Sequence, residues 1–232
     1  MPVLPHGPLI ALAADLWQVT GSLPNMALPR TMVVWRHPSG GLWLHSVVAV
    51  DEATLAALRG LGEVKWVVVP SALHRLDAPW YRERFPDAIV LAPAAARARV
   101  AEKVAVDGTC EEALPGLGVV FLAPDGLKPE ELAYRLPLAG GGAALVLNDC
   151  LFHLVEPVAG FGGFMLRLMG SWGFFGLTRI GRWFLLRDGG AYQRWLLAMA
   201  DDAELRVVTV SHGVAVTEGV AAKLREAAAR LG

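Results

Sequence analysis

The chain has 232 residues, 54% of them hydrophobic, and a formal net charge of −1. That length fits one domain, 1–232, with enough apolar material for a core and some left for a groove or an interface. The charge is near neutral, and there is neither a basic block nor an alternation of basic and aromatic residues. The electrostatic footprint of a nucleic-acid binder is therefore missing.

Two cysteines, Cys110 and Cys150, make no disulfide framework and read as reduced, buried thiols of a cytoplasmic protein. Residues 8–14 imitate a short signal core, but no Lys or Arg precedes them and Asp15 ends the run, which argues against a secretory signal.

Short β-branched and aromatic runs at 16–20, 31–35 and 42–46 predict strands, the last two joined as a hairpin through 38–41. Asp51 is placed to cap a helix whose apolar positions Leu55, Leu58 and Leu61 recur at helical spacing. A strand at 64–69, a short helix at 78–85 and a strand at 88–91 follow, and Pro93 opens a helix expected to reach about residue 104. Strands are expected at 119–122, 132–136 and 143–147, the last two joined across the glycines 140–142. Helices are favoured at 164–169 and 191–200. A strand at 205–210 then precedes a helix over 217–231, which Thr217 could cap and in which Glu226 and Arg230 are spaced to pair. Strands and helices in both halves fit two sheets packed together inside two helical layers.

Three polar positions close apolar runs: His74 after 67–70, Asp149 after 144–148 and His212 after 207–211. Polar residues at strand ends are where open α/β sheets build their sites. His45 and Ser46 also end a strand and either line the site's rim or belong to an edge strand. The segment 170–173 lacks a Gly-x-Ser-x-Gly elbow, and the glycines 140–142 lack the ending of a phosphate loop.

With those residues in that order, the chain resembles the metallo-β-lactamase superfamily, as a divergent member. The resemblance spans most of the chain: a hairpin-rich first half, a His-bearing loop after a strand, a helix running into Phe85-Pro86, a strand ending in Asp149 and a late Ser211-His212-Gly213. It implies an α/β fold, a four-layer αββα sandwich with its site along one edge. The family's His-x-His-x-Asp-His loop is reduced here to Pro70-Ser71-Ala72-Leu73-His74-Arg75-Leu76-Asp77, in which His74 matches the last histidine. Asp149 matches the bridging aspartate and His212 the last ligand. The two-metal site cannot be complete.

Two readings stay open. In one, His74, Asp149 and His212 hold a single zinc, iron or manganese ion, with Asp149 and His212 as catalytic residues in hydrolysis of an ester, thioester or phosphoester. Asp77 or His153 would supplement these ligands, and Cys150 is the weakest candidate because strand alternation points it away. In the other, a metal-free Asp–His cluster borders a cleft that binds a small ligand without catalysis.

The segment 161–187 combines Phe161, Phe164, Trp172, Phe174, Phe175, Trp183 and Phe184 with four arginines. It reads as a lid over the site, as core, or as a homodimer contact. Its arginines rule out a transmembrane helix, and its glycines argue against a long amphipathic helix at a membrane surface.

Overall fold

The computed structural model describes residues 2–24, 26–155, 160–168 and 170–232. The first half contains β1 (Ile10–Ala13), β2 (Leu16–Leu23), β3 (Met26–Arg36), β4 (Gly41–His45), α1 (Glu52–Leu61), β5 (Glu63–Val68), α2 (Ala78–Arg84), β6 (Ile89–Ala92), α3 (Arg97–Ala101) and β7 (Gly108–Thr109). Its strands form one sheet in sequence order, antiparallel from β1 to β4 and parallel from β4 to β7. The second half contains α4 (Cys110–Ala113), β8 (Val120–Leu122), β9 (Ala133–Pro137), β10 (Ala143–Val146), β11 (Phe152–His153), α5 (Gly160–Leu168), β12 (Phe175–Gly176), α6 (Arg179–Phe184), α7 (Gly189–Ala200), β13 (Leu205–Thr209) and α8 (Val220–Ala229). Here the order is β13-β10-β9-β8, with β10 and β13 parallel and β11 pairing separately with β12.

Three apolar clusters separate four layers. The first joins Val19, Val34, Leu42, Leu44, Val67 and Val90 of the larger sheet to Leu55 and Leu58 of α1, Tyr81 of α2 and Val100 of α3. The second lies between the sheets, where Trp35, Trp43, Val68 and Leu91 meet Tyr134, Leu136, Ala144 and Val146. The third joins Leu145 and Val208 of the smaller sheet to Tyr192 and Leu196 of α7 and Leu224 and Ala227 of α8. Strand periodicity produces this division: Leu42 and Leu44 face the helices while Trp43 between them faces the other sheet. The αββα sandwich expected from the sequence is the architecture observed.

Local differences have local causes. The apolar run at 8–14 supplies β1, an edge strand paired with β2. The helix after Pro93 is confined to α3, because Ala96 and Arg97 bond back to the carbonyls of Pro93 and Ala94 in a tight turn. Thr217 does not cap the last helix. Val216 is held extended by paired bonds of 2.8 and 2.9 Å to Val208, so the chain turns only at Gly219, the N-cap of α8. Asp51 caps α1 as expected, its carboxylate accepting the amide proton of Thr54 at 2.8 Å. Arg230 and Glu226 stand 3.8 Å apart. Residue 169, the end of the helix expected at 164–169, lies outside the described residues.

Asp77, at the foot of α2, is committed to structure. It pairs with the buried Arg30 of β3 and accepts the amide proton of Ala49 at 2.6 Å, while Arg30 Nε donates to the carbonyl of Ser22 at 3.0 Å. Both side chains are buried, so removing the carboxylate leaves a guanidinium charge without its partner. Asp77→Ala is expected to lower unfolding stability by about 3–5 kcal/mol in urea titration. A loss below about 1 kcal/mol would show that water solvates Arg30 in the variant.

Candidate metal centre

His74 is delivered by the loop between β5 and α2, Asp149 by the turn after β10, and His212 by the turn after β13. Loops after strands in both sheets thus bring the three side chains to one point. One ligand atom from each lies within 4.8 Å of the others. Asp149 Oδ1 is 3.0 Å from His74 Nε2 and 3.0 Å from His212 Nε2. All three residues are buried, and the imidazole centroids are 5.1 Å apart.

The His212 turn is gripped by β3. Thr31 donates its amide proton to the Ser211 carbonyl at 2.8 Å, and its hydroxyl reaches the Gly213 carbonyl at 3.3 Å. Gly213 has φ +118°, and a Cβ there would stand 2.0 Å from the His153 carbonyl oxygen, so only glycine fits. Ser211 in turn donates to Asn148 Oδ1 at 3.0 Å, which ties the His212 turn to the Asp149 turn.

The outer ring nitrogens define the chemistry. His212 Nδ1 lies 2.7 Å from the carbonyl oxygen of Pro29, which can only accept, so this nitrogen carries a proton. In the neutral ring the lone pair is then on Nε2, facing Asp149. Two acceptors cannot face each other at 3.0 Å, so either a proton or a shared metal ion lies between them. His74 Nδ1 meets the Ser46 hydroxyl at 2.8 Å, a partner able to donate or accept. A hydrogen bond to the outer nitrogen fixes the orientation of each ring and so the direction in which its other nitrogen points.

Burial alone would push the Asp149 carboxyl up. The charge of His74 and the hydrogen bonds from both imidazoles overcome it and hold Asp149 well below the usual carboxylate range. Glu131, next to β9, behaves oppositely: burial first, then the Asp149 charge, push it up to about 8. It accepts bonds from Asn148 Nδ2 at 3.1 Å and from the Asp149 amide at 3.2 Å. Glu131, Pro29 and Arg30 were not singled out in the sequence. A carboxylate directly before an apolar strand was the one available signal, and it is a weak one.

Other expected contributors lie elsewhere. Asp77 is held by Arg30, and His153 Nδ1 donates to the Val214 carbonyl at 2.7 Å, so neither joins the ligand group. Cys150 is buried in the cluster under α7. His45 does not line the rim: it is fully buried between the sheets, its ring stacked 5.6 Å from Trp43 and 5.3 Å edge-on from Tyr134. Among the described residues neither of its ring nitrogens has a hydrogen-bond partner, and burial pushes its pKa down to about 3.

Ser46, adjoining His45, has φ +55° and is the one non-glycine residue with positive φ among those described. A left-handed serine is strained, and its hydroxyl is the group that meets His74. Ser46→Ala keeps the strain and Ser46→Gly removes it, while both lose the hydroxyl. The glycine variant is therefore expected to be more stable than the alanine variant by about 1 kcal/mol in thermal or urea unfolding. Equal stabilities would show that position 46 carries no strain.

No protein-family model and no curated protein sequence matches the chain. Solved structures do. The metallo-β-lactamase DIM-1 exposed to ceftazidime superposes with a TM-score of 0.63 at 14% identity, covering 100% of this chain and 99% of the other. The mono-zinc form of the metallo-β-lactamase FIM-1 from Pseudomonas aeruginosa gives 0.62 at 13% identity, covering 98% and 96%. A metallo-β-lactamase from Hirschia baltica gives 0.59 at 12% identity, covering 95% and 97%. Layers, element order and superposition agree: this chain has the metallo-β-lactamase fold.

Proposed function

We propose that the chain is a metal-dependent hydrolase with a mononuclear centre held by His74, Asp149 and His212. The observation that carries this reading is the convergence of His74 Nε2, Asp149 Oδ1 and His212 Nε2 on one point, with His212 Nδ1 already bound to the Pro29 carbonyl. Two imidazole nitrogens and one carboxylate oxygen are the donor set of a catalytic zinc site with an open position. Donors bound at about 2.0–2.2 Å to one tetrahedral ion stand about 3.3–3.6 Å apart. The two 3.0 Å separations to Asp149 therefore need to open by a few tenths of an ångström, while the two histidine nitrogens, within 4.8 Å of each other, need to come to that same spacing. An ion held by His74, Asp149 and His212 would supply Lewis acidity and lower the pKa of a bound water toward neutrality. The mono-zinc form of FIM-1 is in keeping with one ion in this fold.

The protein's own groups would then orient and exchange protons. Asp149 stays ionised and fixes both rings, while Ser46 and Pro29 hold the outer nitrogens so that each Nε2 faces the centre. A cleft of about 330 Å³ reaches Pro29, walled by the β2–β3 hairpin and the segment around His6. Its lining has Met26, Leu28 and Pro5 but no Lys, Arg, Asp or Glu. His74, Asp149 and His212 do not line this cleft, so its composition does not choose among an ester, a thioester and a phosphoester.

One observation favours a second reading, a metal-free ligand-binding protein: if His212 is an imidazolium, Asp149 accepts from both rings and the cluster is satisfied without an ion. Metal titration separates the two. Protein stripped with chelator and then titrated with zinc, iron(II) or manganese is expected to take up one equivalent and rise in Tm, with hydrolysis of a p-nitrophenyl acyl ester appearing in step. Asp149→Asn should weaken metal binding by at least about 100-fold. Absence of stoichiometric uptake with an unchanged Tm would leave the metal-free reading standing.

A further inference from the structure

We infer that the face built on α6 docks the protein on an anionic lipid surface. The stretch from 157 to 187 contains Arg167, Arg179, Arg182 and Arg187 and no acidic residue, within a chain of net charge −1. On α6, Trp183 is 82% exposed, Phe184 53% and Ile180 40%. Trp183 and Phe184 meet edge to face at 4.9 Å and, with Lys128, Leu186 and Arg187, line an open recess of about 340 Å³. Exposed apolar groups ringed by cations are the composition of a membrane-surface anchor.

The rings are held outward by a fixed base. Thr178 caps α6 by accepting the Gly181 amide proton at 2.9 Å, and the Lys128 amide donates to the Leu185 carbonyl at 3.0 Å. Arg187 donates its amide proton to the Gly126 carbonyl at 2.7 Å. Among the described residues, Lys128, Arg179 and Arg187 form no ion pair, and Arg182 donates to the Arg230 carbonyl, a contact that leaves its charge uncompensated; Asp188, the acid next to Arg187, is engaged at the Ala191 amide at 3.0 Å. These charges are available to lipid phosphates. A short helix carrying two large rings anchors through its side chains, so the glycines that preclude a long amphipathic helix do not weaken it.

Charge decides between partners. A second copy docked by the same face across a twofold axis would set arginines against arginines. Nucleic acid would satisfy the charges but gives an exposed isoleucine nothing to bury against, whereas a bilayer offers phosphates at the depth of the cations and hydrocarbon at the depth of the rings.

The test is co-sedimentation at about 0.1 M salt with vesicles of phosphatidylcholine alone and with 30% phosphatidylglycerol. Wild-type protein is expected to pellet with the anionic vesicles and stay in solution with the neutral ones. Arg187→Gln should weaken binding about fivefold. The double variant Trp183→Ala, Phe184→Ala should weaken it at least about tenfold. Its melting curve should match wild type, since both rings face solvent. The proposal is overturned if wild type pellets with neither vesicle, or if the double variant pellets as well as wild type. It is equally overturned if wild type binds duplex nucleic acid and not vesicles, or is a dimer that the double variant converts to monomer.

Discussion

The hydrogen bond from His212 Nδ1 to the carbonyl of Pro29 joins a turn after the last strand to the third strand of the other sheet. A main-chain carbonyl cannot donate, so this one contact decides where the imidazole's proton sits and which nitrogen confronts Asp149. Shift the turn by one residue and the cluster loses both its geometry and its electrostatic logic. Gly213 and Thr31 exist in their present roles to keep that register: one lets the backbone pass 2.0 Å from where a Cβ would strike, and the other bonds the turn on both sides.

Around this contact the site is supported from both sheets. Ser46 reaches His74 from the end of β4, while Glu131 and Asn148 brace the Asp149 turn from the smaller sheet. The buried Arg30–Asp77 pair fixes β3 to the foot of α2, immediately after the His74 loop, so the strand that holds His212 and the loop that holds His74 share a charged tie. Burying such a pair is a costly way to stabilise a fold, but breaking it is costlier. The centre therefore sits between rigid walls.

Much of this was legible in the residues. The succession of short strands and helices in both halves pointed to the layers, and the strand-end positions of His74, Asp149 and His212 to the cluster, because a buried strand must end in a turn where polar groups become tolerable. What stayed hidden depends on tertiary contact. Nothing near Thr217 reveals that Val216 will be held extended by Val208. Nothing near Asp77 reveals Arg30, distant in sequence and buried with it. His45 reads as a rim or edge-strand residue because it ends a strand near the expected site; between Trp43 and Tyr134 it is a neutral aromatic filler. The 161–187 stretch proved to be divided, with Phe175 and Leu177 in the core and Trp183 and Phe184 in solvent.

The central claim is that both rings present Nε2 to one shared cation. Its most direct measurement is ¹⁵N NMR of histidine-labelled protein loaded with ¹¹³Cd. Scalar coupling from cadmium to Nε2 of both His74 and His212 is expected, with a proton retained on His212 Nδ1. Coupling at Nδ1, or none at all while both nitrogens of His212 stay protonated, would contradict it.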